Sequence, residues 1–512
     1  MESPGPLAAT ATLRVPPALA DLRDRRIDLV GVASVEGGEM ARYLVAAGFT
    51  NLVGHDQQPD LEHLQQAHSL AHAGLDRRER QLRLEELLSG LQALRLADRY
   101  LEGIADSALI IPTQAWFLAP ANAPLLQLQD RGHPFYSLVQ AYLDLAKGEV
   151  VGVTGSHGKS TTSALVASVL RATGIYQKVW LAGNDRHDRQ ALEEVARDQG
   201  GSCLVLEISN RQLLQLDRAP RVGCLTNISP NHLDEHQGLA GYIRAKRRIF
   251  ELPGCEVAVR NGEDRLSLEG APLAEGIREL RFARSEAGLE GRPGAFEEAG
   301  QIRVRWDEET LTAMAAEQIG LVGAHNQSNV RAALTVLAAL TPADPERLAA
   351  AAREIADFRP LRHRTELVRQ HQGVDFIDDL ASTTPQSTVA AVRGVGRTCI
   401  LIAGGEDKGI DFGELVALVG GPVRLVFLLA GAGSDRLAGE LGSAGKGELV
   451  RKTEHLQEAV RAAVAEARPG EAVLLSPACP GFFSAHYREG GFRQAVRAAT
   501  SPRPRREPGS GG

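Results

Sequence analysis

The stretch from Gly152 to Thr162, GVTGSHGKSTT, constrains the fold of this chain more than any other. Before it, Glu149 to Val153 (EVVGV) is a short, β-branched apolar run that reads as a buried strand. After it, SALVASVLRATG carries apolar side chains at helical spacing as far as Gly174. A strand, a glycine loop and a helix in that order bring backbone N–H groups and the positive end of a helix dipole to one point, which is an anion site. Gly155 and Gly158 lack a Cβ, so the loop through Ser156 and His157 can curl with its N–H groups inward. Lys159 then sets a mobile cation on the β- and γ-phosphates of a nucleotide, and the hydroxyl of Ser160 or Thr161 can bind Mg²⁺. A strict phosphate-loop pattern requires glycine at 153, where this chain has Val153, so the spacing here is GxxGxxGKST. The plainer reading, a glycine-rich turn with a chance lysine, is opposed by the flanking strand and helix.

At 512 residues the chain exceeds what one ordinary core supports, and two to four domains are expected. A formal charge of −7, with no Lys/Arg-rich block, argues against a nucleic-acid partner. The five cysteines (Cys203, Cys224, Cys255, Cys399, Cys479) are odd in number and lack CxxC spacing, and most lie in apolar runs. They read as reduced core residues rather than a disulfide framework or a zinc site. No apolar run reaches the roughly 18 residues of a membrane span, and residues 1–20 lack the charged-then-apolar order of a secretory signal. The expectation is a cytoplasmic protein with no membrane partner.

Along the chain, the pattern predicts an α/β protein of three domains. Residues 1–148 form an N-terminal Rossmann-like domain: a loose Pro/Ala-rich lead-in, then strand, glycine turn, helix and strand from Arg26 to Asp56, without GxGxxG. Leu61 to Tyr100 reads as charged and helical, and Ser107 to Phe117 as a buried strand running into a loop. Residues 149–357 form a central P-loop ATPase-like domain, in which CLVLEIS and RVGCLTNIS are apolar runs ending in polar residues, as parallel strands do where their ends line a site. Glu256 to Trp306 is acidic and glycine-interrupted, with mixed structure expected. Residues 358–500 alternate strands (VDFIDDL, TCILIAGG, RLVFLLAGAG, AVLLSPA) with helices, a doubly wound Rossmann-like domain. The tail 501–512 has no apolar content and is expected to be disordered.

Several segments then read together. Glu207 ends the strand expected beside the P-loop strand, where a carboxylate can ligate Mg²⁺. Asn227, His232 and Asp234 follow a second strand end in TNISPNHLDEH. Lys246 lies on a helix in YIRAKRRIF among arginines that read equally as surface charges. Asn326 and Asn329, three apart at a helix start in HNQSN, present both amides to one side, suitable for adenine or ribose.

In this order, TGSHGKSTT, LEISNRQL, TNISPNHLD, YIRAK, GAHNQSN, HRTE, GGEDKGIDF and SPACPGFF resemble the motifs of the Mur ligases, most closely the branch that adds D-glutamate to UDP-N-acetylmuramoyl-L-alanine. The motifs span residues 149–498; the N-terminal domain resembles the family only in its general order. The resemblance implies an ATP-dependent amide ligase of peptidoglycan precursor synthesis, a monomer working through an acyl phosphate with ATP, glutamate and the nucleotide-sugar peptide as small-molecule partners. It implies that Lys159 and Ser160 bind the phosphates and a first Mg²⁺, with Glu207 a further magnesium ligand, and that His232 helps hold a second Mg²⁺. Lys246 matches the family lysine that carries CO₂ as a carbamate and so becomes a metal ligand. Asn184, in AGND, matches an asparagine near the γ-phosphate and the muramoyl end. Asn326, Asn329, Arg364 and Asp379 would hold the nucleotide, and Lys408 and Thr383 the glutamate; Asp56, at a strand end, is the candidate for the uridine end.

The chain departs from that branch at DDLASTT, where Leu380 and Ala381 replace a serine and a lysine, and at Gly481 in SPACPGFF, where relatives carry serine. An L-glutamate-adding variant, which shares the TTP of Thr383, Thr384 and Pro385, therefore stays open. So do a folylpolyglutamate synthase-like ligase and a catalytically silent nucleotide-binding partner.

Overall fold

The computed structural model describes residues 13–72, 74–184, 190–229, 235–236, 238–270, 272–321, 323–407, 409–482 and 491–501. The tail 502–512 and the lead-in 1–12 lie outside the described residues, as do His232, Asp234 and Lys408. The chain is α/β, with three parallel or mainly parallel sheets and a small antiparallel one. It divides into two compact units: residues 1–318 with 328–357, and residues 319–327 with 358–512.

The first unit opens with β1 (Ile27–Val30), α1 (Val35–Ala46), β2 (Leu52–His55), α2 (Leu61–Ala71), α3 (Arg77–Gly90), β3 (Ala93–Arg95), β4 (Leu109–Pro112), α4 (Ala123–Asp130) and α5 (Leu138–Leu145). Its four strands are parallel in the order β3-β2-β1-β4. The charged stretch expected to be helical to Tyr100 thus ends in a short edge strand, whose three residues are too few to show an alternation. The helices there start on aspartates, Asp60 for α2 and Asp76 for α3, each accepting the N–H three residues on.

The same unit continues with β5 (Glu149–Thr154), α6 (Lys159–Thr173), β6 (Lys178–Gly183), α7 (Leu192–Arg197), β7 (Ser202–Glu207), α8 (Asn210–Leu213), β8 (Val222–Leu225), α9 (Leu239–Glu251), β9 (Val257–Asn261), α10 (Arg265–Leu268) and β10 (Arg278–Phe282). These six strands are parallel, in the order β10-β9-β8-β5-β7-β6. The P-loop strand β5 lies between β7 and β8, so the two polar strand ends read from the sequence flank the loop. The helix after the loop stops at Gly174, which takes the left-handed conformation (φ 64°) that suits a glycine C-cap.

The segment of mixed expectation, Glu256 to Trp306, holds β9, α10, β10 and the first two strands of an antiparallel sheet, β11 (Gly294–Glu298) and β12 (Gln301–Arg305), which β13 (Thr310–Ala315) completes just beyond it. In β12, Ile302 and Val304 are buried while Gln301, Arg303 and Arg305 face outward, the alternation of a sheet with one wet face. Two helices follow, α11 (Ala324–Leu340) and α12 (Pro345–Asp357).

One apolar cluster runs through both large sheets of this unit. It joins Leu29, Tyr43 and Tyr142 from the N-terminal part to Leu192, Leu204 and Phe250 from the central part. Each such side chain contributes about 1.5–3 kcal/mol when fully buried.

The second unit carries β14 (Glu366–His371), β15 (Val374–Asp378), α13 (Pro385–Val395), β16 (Cys399–Gly404), α14 (Gly413–Leu418), β17 (Val423–Leu429), α15 (Ala432–Ser443), β18 (Val450–Thr453), α16 (Leu456–Glu466) and β19 (Ala472–Ala478), then a helix at Gly491–Thr500. The order is β14-β15-β19-β16-β17-β18, parallel except for the edge hairpin of β14 on β15. All five cysteines are free. Among the described residues, no helix is long and apolar enough to cross a membrane.

Candidate active site

The P-loop is shaped by its glycines and clamped by the segment after β8. A Cβ on Gly155 would stand 1.9 Å from Thr226 Oγ1, and one on Gly158, whose φ is +80°, 2.4 Å from Asn329 Oδ1. Only glycine allows these approaches. The N–H of Ser156 donates to the Asn227 carbonyl (2.9 Å), and that of His157 to Asn227 Oδ1 (3.0 Å). The amide and hydroxyl of Asn227 and Thr226 donate back to the His157 carbonyl at 3.0 and 2.6 Å. Asn227 therefore acts as a strut for the loop. From α11, Asn329 accepts a bond from Thr162 at 3.1 Å, closing the other side.

Two lysines meet at the loop mouth. Lys159 Nζ donates to the carbonyl of Gly155 (3.0 Å), and Lys246 Nζ reaches the same oxygen from α9 (2.8 Å). Lys246 is fully buried, with its Nζ 4.8 Å from the ring centre of Tyr242, one helical turn earlier. Burial holds its pKa well below the usual lysine range; the nearby Lys159 charge pushes the same way and Glu207 opposes both. An amine so placed is neutral and nucleophilic at pH values where an exposed lysine is charged.

Glu207 ends β7 in register with Val153 of β5, which sets its carboxylate beside the P-loop. It is buried. One oxygen, Oε1, accepts from Asn184 Nδ2 at 2.7 Å, whereas Oε2 has no hydrogen-bond partner among the described residues. Among the described residues, the buried hydroxyls of Thr154, at the end of β5, and Ser229, after β8, also lack a partner. A buried carboxylate oxygen left bare is costly unless something positive meets it, and hard oxygen donors of this kind fit a magnesium ion. Ser160 and Thr161 are buried at the start of α6.

The remaining candidates lie elsewhere. Asp56 follows β2, and its carboxylate accepts the N–H of Ala33 (3.0 Å) and of Gln58 (3.4 Å); burial raises its pKa. That places it under the glycine turn of the N-terminal sheet. In the second unit, Asp379 is buried, accepts from Ser476 Oγ (2.8 Å) and the Thr365 N–H (3.1 Å), and burial pushes it up to about 6. Arg364 lies in a turn whose neighbours His363 and Thr365 take φ of +63° and +49°, a strained left-handed pair. His363 Nδ1 bonds Asp378 at 2.9 Å, a partnership the sequence does not announce. Thr383 is exposed before α13, and Asn326 is buried near the start of α11. Gly481 has φ +76°, and a Cβ there would meet Glu406 at 2.7 Å, which accounts for glycine in place of serine.

The structure thus gathers Lys159, Ser160, Asn184, Glu207, Lys246 and Asn329 at one end of the central sheet. Two more residues enter that the sequence does not single out: Tyr242, marked only by lying four residues before Lys246 on a helix, and Thr226, which carries no local signal.

Two stretches match family models, residues 153–337 the Mur ligase middle domain and residues 363–479 the glutamate ligase domain of Mur ligases. The chain is 34% identical over 385 residues to the UDP-N-acetylmuramoylalanine–D-glutamate ligase of Symbiobacterium thermophilum, covering 75% of this chain and 82% of that one. It is 35% identical over 361 residues to the enzyme of the same name from Marinobacter nauticus, covering 69% and 75%. Its fold is similar to the crystal structure of UDP-N-acetylmuramate-alanine ligase from Thermotoga maritima (TM-score 0.57, 18% identity, 93% of this chain and 98% of that one). It is also similar to a pseudomurein peptide ligase type C from Methanothermus fervidus (TM-score 0.51, 17% identity, 93% and 100%).

Proposed function

The chain belongs to the Mur ligase family and is a D-glutamate-adding ligase of peptidoglycan precursor synthesis; from that premise we propose how its residues divide the work. The substrates are ATP, D-glutamate and UDP-N-acetylmuramoyl-L-alanine, and the enzyme acts as a cytoplasmic monomer. The P-loop backbone from Gly155 to Ser160 holds the ATP phosphates, and Lys159 leaves the Gly155 carbonyl to follow the γ-phosphoryl group. Ser160 and Glu207 would hold one Mg²⁺, and His232 with a carbamate on Lys246 would hold a second. Magnesium, when bound, supplies charge neutralisation on the transferring phosphoryl oxygens.

The carboxylate of the alanyl end attacks the γ-phosphorus, the bond to the ADP oxygen breaks, and an acyl phosphate forms. The amine of D-glutamate then attacks the acyl carbon, a proton leaves the nitrogen, and inorganic phosphate departs as the amide forms. Lys159 stays beside the phosphoryl oxygens through both steps. On the side of the second unit, Asn326, Arg364 and Asp379 serve the nucleotide, and Lys408 and Thr383 the glutamate.

The observation that carries this division is the buried Lys246 on the Gly155 carbonyl. Its neutral nitrogen can form a bond to CO₂ and release one proton, turning a buried base into a carboxylate donor. Lys246→Ala is expected to lose at least about a hundredfold in kcat, and short carboxylic acids such as acetate should restore part of it. Phosphate release in the wild type that needs both D-glutamate and the nucleotide-sugar peptide tests the overall reaction. No release would favour a silent nucleotide-binding partner, and a Lys246→Ala variant without rescue would rule out the carbamate.

A further inference from the structure

Glu207 is held by a chain of hydrogen bonds that begins on the other sheet of the first unit. Gln114 lies in the loop after β4, and both ends of its side chain are engaged. Ser209 Oγ donates to its Oε1 at 2.6 Å, and its Nε2 donates to Asn184 Oδ1 at 2.7 Å. Its backbone is anchored too: the N–H donates to Glu36 Oε2 at 2.6 Å, and the carbonyl accepts from Gln215 at 3.3 Å. Asn184 passes the direction on, with Nδ2 donating to Glu207 Oε1 and its own N–H to the Glu207 carbonyl at 2.8 Å.

A primary amide has a donor end and an acceptor end, and turning it over exchanges them. With the Ser209 hydroxyl donating to Oε1, the amine end of Gln114 faces Asn184. With that amine donating to Oδ1, the amine end of Asn184 faces Glu207. If Asn184 turned over, its oxygen would abut a carboxylate oxygen, two acceptors in contact. The carboxylate torsion of a glutamate is otherwise broad, so this one-way chain sets the plane in which Oε2 points.

We propose that Gln114 is a positioning residue for the metal site: through Asn184 it fixes Glu207 so that its bare oxygen is presented to a divalent cation. The proposal rests on the reading of Glu207 as a magnesium ligand. It gives the N-terminal sheet a part in a site whose ligands all lie on the central domain. Loss of an outer partner of a metal ligand commonly costs 10–100-fold in metal affinity.

The test uses the full chain with Mn²⁺ as probe, titrated by its paramagnetic resonance beside a saturating non-hydrolysable ATP analogue. Gln114→Met keeps the length but neither donates nor accepts. It is expected to weaken Mn²⁺ binding about tenfold, with metal-free nucleotide affinity within about twofold of wild type. Gln114→Glu keeps the bond from Ser209 and both backbone bonds while presenting an acceptor to Asn184. It should show a comparable loss, and it decides the matter if the methionine variant does not fold. Wild-type Mn²⁺ affinity in the folded variants overturns the proposal, provided Glu207→Gln weakens binding in the same assay. If Glu207→Gln is silent as well, the metal-ligand reading beneath it falls.

Discussion

The chain builds a strand, a glycine turn and a helix twice, once as β1 into α1 and once as β5 into α6, and finishes the two helix starts differently. At α1, Gly31 makes the turn (φ +83°) and Ser34 caps the helix, its Oγ accepting the Gly37 N–H at 3.0 Å and donating to the Gly31 carbonyl at 2.7 Å. Asp56 accepts the Ala33 N–H just before, and Glu36 stands in the first turn. The positive end of that helix is met by the protein's own oxygens. At α6 the cap is Gly158, which has no side chain to offer, and the first turn holds no acid. The difference teaches that a phosphate site is made as much by withholding capping oxygens as by adding a lysine.

The largest effect that could break this contrast is at Gly158. Gly158→Ala forces a Cβ against Asn329 in a left-handed backbone, and ATP affinity by calorimetry should fall at least about a hundredfold, the scale of an ångström-sized misplacement. Unchanged affinity would show that the loop geometry is not what holds the phosphates.

Buried bases sharpen the contrast next. The central part hides Lys246 at its site; the N-terminal part hides His68 and His72, stacked 4.1 Å apart on and just after α2. Burial lowers the pKa of both imidazoles, that of His68 to about 3. Both folded pKa values lie below the unfolded value near 6.5, so the unfolded chain takes up more protons as pH falls. Above about pH 6.5 neither ring takes up protons on unfolding; below it stability falls with pH, for His68 down to about pH 3, by at most about 1.4 kcal/mol per pH unit for each ring. Urea melts of His68→Leu between pH 6.5 and 5 should show a shallower slope than wild type. An identical slope would mean these rings contribute nothing to the acid response.

The smallest effect belongs to the closed helix start. Ser34→Ala should cost about 1 kcal/mol of stability in urea and leave ATP affinity untouched. A loss of ATP affinity there would join two helix starts that the structure keeps separate.

Much of this was legible because the informative residues lie close together in sequence. The apolar run into Gly152 and the periodicity up to Gly174 define β5 and α6, and the apolar run CLVLE carries its carboxylate, Glu207, at the last residue of β7. What stayed hidden depended on distance along the chain. The antiparallel sheet from Gly294 to Ala315 hid behind strands of five and six residues, the first two carrying Glu and Arg pairs, whose alternation is clear only once a buried face is known. Asp56 reads as an open carboxylate until Ala33, 23 residues earlier, is seen to donate to it. Gln114 is 70 residues from Asn184, and no local pattern marks a glutamine whose importance lies in which way its amide faces.

The shared apolar cluster carries a consequence for how this protein can be taken apart. Tyr142 of α5 packs into the core that holds Leu192 and Leu204, and its hydroxyl accepts the Ala191 N–H at 2.8 Å while donating to Gln190 at 3.1 Å. Arg14 reaches the carbonyls of Leu145 and Val195 at 2.7 and 2.8 Å, tying the chain's beginning to α7. A fragment cut at the P-loop domain's first strand would bare this seam on both pieces. The N-terminal and central sheets are separate by topology but share one apolar core, so a protease or a denaturant is expected to meet them as a single object that melts in one transition.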